Sequence, residues 1–255
     1  MKLVFNPAQI NKPIKGKAAF ISKKQISHFV YEFVFEMIEP EQIDFKAGQY
    51  IAIEIDSKTR RQYSISSAPG ITDNDQRKFE MVIDVKPNGV GVNYLMNLQP
   101  GDEIKFIGQI GLFVLPPLLK KDLYFISTGT GVAPLKSMVE DLINKGLHLQ
   151  HNIYVIFGTR YLGDIFYSEI FNEYFSKNLI KDFKIYLSRP EDDYAENYKD
   201  IQKGYVTLYF KNNLSINLND SQFFICGGNE MIKSTESILL DKGVSDNDIF
   251  YEKFY

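Results

Sequence analysis

The run Thr128-Gly129-Thr130-Gly131-Val132-Ala133-Pro134 follows the apolar stretch Leu123-Tyr124-Phe125-Ile126 and precedes a helical pattern. A strand that turns through glycines into a helix presents free backbone N–H groups and the positive end of the helix dipole at one point. Phosphate or pyrophosphate suits that point. Gly129, Gly131 and Ala133 keep side chains clear of the backbone, and Pro134 fits a first helical turn, where no N–H is needed. The pattern is not G-x-G-x-x-G, so a plain βα turn with nothing bound remains the alternative. Further on, Cys226-Gly227-Gly228 closes the apolar Phe223-Phe224-Ile225 and precedes another helical pattern. A small thiol and two glycines let a flat ring lie against the backbone, although a cysteine at a strand end is also an ordinary small apolar residue.

The first half of the chain carries a different set. Arg61-Gln62-Tyr63-Ser64 lies on a strand-like stretch, so Arg61 and Tyr63 share a face and Ser64 points the other way. An arginine fork grips pyrophosphate. A tyrosine face stacks on a ring, and a serine hydroxyl gives or takes a hydrogen bond. A half-buried strand with a snorkelling arginine accounts for the same four residues taken alone.

Two kinds of period must position these groups. Up to about Pro117 the chain reads as short strands rich in β-branched and aromatic residues: Ala18–Lys24, His28–Met37, Gln49–Ile55, Arg61–Ser67, Lys78–Lys86 and Asp102–Gly108. Val92 to Leu98 is expected as one short helix. About six strands with few helices suggest a small antiparallel barrel. After Pro116-Pro117, strands at residues 123–127, 153–157, 183–188, 223–226 and 249–254 alternate with helices near 134–145, 168–176, 207–211 and 230–240. That alternation implies a doubly wound α/β domain with a parallel sheet. The expected domains are 1–117 and 118–255, and the first residues, to about Lys15, read as a loose arm.

Composition removes several classes. The 255 residues are 44% hydrophobic and 24% charged, as in soluble globular proteins. A formal charge of −3 without a long basic run argues against a general nucleic-acid binder. The single cysteine excludes an internal disulfide framework and an all-cysteine iron–sulfur cluster. The three histidines have no metal-ligand spacing, so no metal is expected, and His148 and His151 read as surface residues. No apolar run reaches membrane-span length and the start lacks a signal-peptide core, so a cytoplasmic protein is expected.

Taken in order, the motifs resemble those of the ferredoxin–NADP reductase superfamily of flavin enzymes, over about Gly16 to Tyr255. Gly48-Gln49-Tyr50 is similar to its G-Q-[FY], Arg61-Gln62-Tyr63-Ser64 to its R-x-Y-[ST], and Asn93-Tyr94-Leu95 to its pyrophosphate segment. Gly108 to Phe113 resembles its G-P-x-G-x-F, Thr128 to Pro134 its G-T-G-x-A-P, and Cys226-Gly227-Gly228 its C-G-[GP]. Two departures stand out: Val92 replaces a common Ser or Thr, and Gln109 replaces a proline.

The resemblance implies an FAD-binding barrel and an NADP(H)- or NAD(H)-binding α/β domain. Tyr63 would pack on the flavin, Ser64 would sit near its N5, and Arg61, beside Gln62, would neutralise the pyrophosphate. Val82, Val85 and Lys86 would supply backbone contacts, and Gly91, Val92 and Asn93 would meet the pyrophosphate. Thr128, Gly129, Thr130, Gly131, Ala133 and Pro134, with Gly227 and Gly228, would hold the nicotinamide nucleotide, and Cys226 would lie beside the hydride path. Tyr255 or Phe254 would stack on the flavin. Glu252 is a candidate for moving a proton, set against the plainer reading of a solvent-exposed strand carboxylate. Ser188-Arg189 resembles a 2′-phosphate grip and inclines the expectation to NADPH, with Lys203 or Tyr205 assisting and Glu191, Asp192 and Asp193 opposing. The implied activity is NAD(P)H oxidation through FAD, with electrons passed to ferredoxin, flavodoxin or another redox protein. Lys12, Lys15, Lys17, Lys23, Lys24 and Arg60 are candidates for a basic docking face. A reductase component of an oxygenase complex and a non-catalytic flavin-binding regulatory subunit are the alternatives.

Overall fold

A computed structural model describes residues 12–70, 77–190, 201–212 and 217–254 of the chain. Its first half contains β1 (Ile14–Gln25), β2 (Val30–Glu39), β3 (Tyr50–Glu54), β4 (Arg60–Ser64), β5 (Lys78–Asp84), the helix α1 (Val90–Asn97) and β6 (Glu103–Ile110). These six strands form one antiparallel sheet in the order β4-β3-β6-β1-β2-β5. A bridge from Ile65 to Met81 joins the first strand of that order to the last and curls the sheet into a barrel. Alternation along β1 and β2 sends Phe20, Phe33 and Phe35 inward, where they meet Phe79 and Phe106. Each such ring contributes about 1.5–3 kcal/mol through burial.

The second half contains β7 (Asp122–Thr128), α2 (Val132–Asn144), β8 (Asn152–Thr159), α3 (Ser168–Ser176), β9 (Asp182–Leu187), β10 (Ile201–Lys203), α4 (Thr207–Asn212), β11 (Ser221–Gly227), α5 (Asn229–Asp241) and β12 (Ile249–Lys253). The sheet is parallel, in the order β10-β9-β8-β7-β11-β12. Leu123 to Ser127 and all of β11 are buried, as strands covered on both faces must be. The chain winds outward from β7 through β8, β9 and β10, then returns to place β11 on the other side of β7. The topological switch point therefore lies between β7 and β11, where a crevice opens at the carboxyl ends of the strands.

The expected two-part architecture is the observed one. The edge strand β10 has no counterpart in the sequence reading, because three residues carry too little alternation to register. His148 and His151 are half-buried rather than on the surface; the His151 ring lies 2.7 Å from the Lys120 carbonyl oxygen. Gly146, with φ +69°, ends α2 in the left-handed conformation that favours glycine. One apolar cluster crosses between the halves: Val30, Ala47, Val82 and Phe113 of the barrel pack with Val132, Leu135, Met138 and Val139 of α2.

Candidate functional site

The turn from β7 to α2 occupies one side of the switch point. Gly129 to Gly131 forms a short 3₁₀ turn that runs directly into α2. A Cβ at Gly131 would collide with the Cys226 carbonyl oxygen, so this glycine lets the β7 turn press against the end of β11. A Cβ at Gly129 would meet nothing within 4 Å, so that side of the turn faces open space. Thr128 lies beside Gly228, whose N–H reaches the Thr128 hydroxyl at 3.5 Å. Ala133 and Pro134 are buried in α2. Thr128, Gly129, Thr130, Gly131, Cys226, Gly227 and Gly228 thus converge, although about a hundred residues separate the two runs.

On the barrel side, Arg61 and Tyr63 of β4 meet the start of α1. A Cβ at Gly91 would strike the Tyr63 hydroxyl and come within 2.8 Å of Arg61 Cγ. Tyr63 is half-buried, which pushes its pKa up to about 12 and keeps it a neutral phenol. Arg61 and Gln62 are exposed. Val92 is half-buried against the barrel core, and Asn93 is exposed at the first turn of α1. Val82 is buried in the cluster between the halves. Val85 donates its N–H to the Phe29 carbonyl (2.8 Å), and Lys86 holds its ammonium over the Phe29 ring, 5.2 Å from the centroid.

Between these two sides stand Ser64, Cys226 and Glu252. Ser64 is buried at the end of β4. Cys226 is fully buried; burial, with the Glu252 carboxylate, pushes its thiol pKa well up and keeps it protonated. Glu252 pairs with Cys226 across β11 and β12. Burial pushes its carboxyl up to about 7, against a hydrogen bond from Ser64 that favours the charged form. Its Oε2 is buried with no hydrogen-bond partner among the described residues. The solvent-exposed reading of Glu252 is therefore corrected: the strand lies beside β11, and its fourth residue is largely withdrawn from water beside Ser64 and Cys226.

A cleft of about 650 Å³ runs outward from the turn. Lys86, Thr128, Gly129, Thr130 and Ser188 line it, as do Tyr205, Gly158 and Arg160. Ser188 sits at the end of β9 with its hydroxyl 3.4 Å from the Thr159 carbonyl, and Arg189 is exposed beside it. Lys203 is exposed on β10. Phe29, Asp84 and Arg160 are wall residues that sequence reasoning did not single out. Gly158-Thr159-Arg160, a glycine closing a buried strand as Gly129 does, was a legible signal for the last; nothing local marked Phe29. Tyr255, Glu191, Asp192 and Asp193 lie outside the described residues. Phe254 is half-buried, with its N–H on the Gly227 carbonyl at 3.0 Å. The basic face is reduced: Lys17 pairs with Glu39 (3.4 Å), Arg60 with Glu54 (2.7 Å), and Lys23 donates to the Met96 carbonyl at the end of α1.

Residues 17–115 match the family model of the oxidoreductase FAD-binding domain, and residues 125–237 that of the oxidoreductase NAD-binding domain. The chain is 31% identical over 156 residues to ferredoxin–NADP reductase B of Sorangium cellulosum, covering 60% of this chain and 62% of the relative. It is 24% identical over 240 residues to the toluate 1,2-dioxygenase electron transfer component of Pseudomonas putida, covering 93% of this chain and 67% of the relative. The crystal structure of a ferredoxin NADP+ reductase from Neisseria gonorrhoeae with bound FAD and NADP superposes with a TM-score of 0.75 at 23% identity, over 94% of this chain and 99% of that one. The chain belongs to the ferredoxin–NADP reductase superfamily.

As a member of that superfamily it has FAD and a nicotinamide nucleotide as its cofactors. The residues present fit both groups. The partnerless Glu252 Oε2 and the hydroxyl of Ser64 offer polar atoms at the crevice. The open flank of Gly129 leaves the backbone of the turn approachable by phosphate. No helix among the described residues is long and apolar enough to cross a membrane.

Proposed function

We propose that the protein is an FAD-dependent NAD(P)H oxidoreductase that hands electrons singly to a protein carrier. The observation that carries this reading is the meeting of Ser64, Cys226 and Glu252 between an FAD-binding barrel and a nucleotide-binding sheet. The domain boundary falls near Pro117, between the two sheets. When bound, the two cofactors supply hydride transfer between nicotinamide and flavin and the release of electrons one at a time.

In this reading the residues divide by task. Arg61, Gln62, Tyr63, Val82, Val85, Lys86, Gly91, Val92 and Asn93 hold FAD, with Arg61 neutralising pyrophosphate and Tyr63 stacking as an uncharged ring. Thr128, Gly129, Thr130, Gly131, Ala133 and Pro134, with Gly227-Gly228, hold the nicotinamide nucleotide. Ser188 and Arg189, beside Arg160, receive a 2′-phosphate, so NADPH is the favoured coenzyme. Cys226 presents a neutral sulfur that fills space without competing as a nucleophile. Glu252 titrates near neutrality, so its carboxyl holds a proton in the crevice and exchanges it through the Ser64 hydroxyl. The carrier is a ferredoxin, a flavodoxin or another redox protein, and a cytoplasmic setting goes with it. A second reading, the reductase component of an oxygenase, is favoured by the dioxygenase relative, whose match extends over 93% of this chain.

The experiment is reconstitution with FAD followed by anaerobic mixing with NADPH or NADH. Stoichiometric yellow protein whose flavin absorbance bleaches faster with NADPH is expected. A protein that takes up no flavin ends the reading; preference for NADH overturns the coenzyme assignment. Reduction of ferredoxin or flavodoxin, against a Rieske-type oxygenase component, separates the two acceptors.

A further inference from the structure

A group of largely buried charges lies away from the crevice, where α2 meets the barrel. Lys136 is almost fully buried, with its side chain 4% exposed. Its Nζ stands 2.9 Å from Glu140 Oε1 and 3.6 Å from Glu80 Oε2 on β5. The ammonium also donates to the Ser66 carbonyl at 3.4 Å and lies 5.1 Å from the centre of the Tyr167 ring. Tyr167 donates to Glu32 Oε2 on β2 at 2.6 Å, and Tyr174 to Glu140 Oε1 at 3.0 Å. The neighbouring Ser137 hydroxyl donates to the Ser67 carbonyl at 2.7 Å. Burial opposes the charge on Lys136, but Glu140 and Glu80 outweigh it and raise its pKa.

What this cluster grips is specific. Ser66 and Ser67 are the second and third residues after Ser64, and they are also tied to β5: the Ser66 N–H donates to the Glu80 carbonyl (2.8 Å), and the Glu80 N–H to Ser67 Oγ (3.1 Å). Toward its N-terminus, α2 is preceded directly by Gly131, the residue pressed on Cys226. One helix therefore touches the continuation of the Ser64 strand and the nucleotide turn within about two helical turns, and α-helices are stiff over that length.

We propose that Lys136 is a positioning residue that fixes the nucleotide turn relative to Ser64 and so sets the registration of the two cofactor sites. The inference rests on the flavin-reductase reading above. Apolar contacts press the halves together without direction, whereas one ammonium held by carboxylates and a carbonyl from both halves admits a single alignment. A displacement of about 1 Å at a reacting pair costs up to ~100-fold in rate.

The test uses the full chain, loaded with FAD, with Lys136→Met and the charge-reduced double variant Lys136→Met/Glu140→Gln, which avoids leaving two unpaired carboxylates. Hydride transfer is followed by stopped flow, nucleotide affinity by titration, and backbone exchange at Ser64 to Ala68 by hydrogen–deuterium mass spectrometry. The expected result is a fall of about 10- to 100-fold in the hydride-transfer rate. Nucleotide Kd and flavin content stay within about threefold of the parent, and exchange at Ser64 to Ala68 rises. A folded, yellow double variant that transfers hydride at the parent rate overturns the proposal. So does parallel loss of flavin content, nucleotide affinity and rate, which would mark a merely structural role. Unchanged exchange at Ser64 to Ala68 also overturns it. A parent protein that binds no flavin sinks the functional reading instead, and the exchange comparison still reports on the clamp.

Discussion

Glu252 and Glu80 are both carboxylates withdrawn from water near the seam between the two halves, and burial raises the pKa of each. Their surroundings differ in kind. Glu80 faces Lys136, which lowers its pKa part of the way back, and belongs to a network in which nearly every polar group has a partner. Glu252 has a serine hydroxyl, a thiol across the strand and one oxygen without a partner among the described residues. A buried carboxylate with a counter-ion is architecture: its charge is settled, and breaking the pair is costly. A buried carboxylate without one changes charge in the neutral range, which chemistry can use.

The contrast is broken most severely by removing the cation. Lys136→Met should lower the free energy of unfolding by ~3–5 kcal/mol, because Glu80 and Glu140 stay buried without their partner. Urea denaturation at pH 7 measures it, and a loss below ~1 kcal/mol would put the two carboxylates in the same class. Glu252→Gln should do the reverse, and only above the ordinary carboxylate range. The folded pKa of about 7 exceeds the ordinary carboxyl value of 4.5, so the native state binds the proton more tightly. Stability is then fully present below about pH 4.5 and is lost as pH rises to about 7, by up to ~3 kcal/mol. The glutamine variant should match the parent at pH 4.5 and exceed it by that margin at pH 8, as thermal melts across the range would reveal. A constant difference at every pH would contradict the assigned shift. Tyr167→Phe, which deletes a donor to Glu32, should cost ~2 kcal/mol with no pH dependence between 6 and 8. The smallest effect concerns Cys226, where burial keeps the thiol protonated. Native protein should react with a thiol reagent at a rate set by unfolding, and quickly only in denaturant; prompt labelling of the folded protein would show an open crevice wall.

The legible parts of the site are those in which chemistry and backbone constraint share a short run. Gly129 and Gly131 stand out because a turn that admits phosphate must lack side chains. Arg61, Tyr63 and Ser64 stand out because alternation puts a charge and a ring on one face and a hydroxyl on the other. The barrel and the doubly wound sheet were readable because period two and strand–helix alternation are written locally. Phe29 was not readable, since it enters the cleft wall only through a barrel hairpin that leans toward the other half. For Glu252 the sequence leaves a proton-moving group and a solvent-exposed carboxylate side by side, because its strand alternates weakly and a one-residue offset decides whether a side chain faces inward or water. Lys136 looked like any helix lysine, since helical periodicity is blind to a second surface covering the polar face.

By itself the sequence determined which backbone segments turn, pair and coil, and which residues could hold phosphate and flat rings, because steric freedom and periodicity are properties of neighbours along the chain. The tertiary structure alone decided that Cys226 lies against Gly131, that Glu252 is largely withdrawn from water, and that Lys136 is clasped between α2 and the barrel. Those are matters of desolvation and of contact between residues far apart in sequence, and desolvation exists only once the chain has closed on itself.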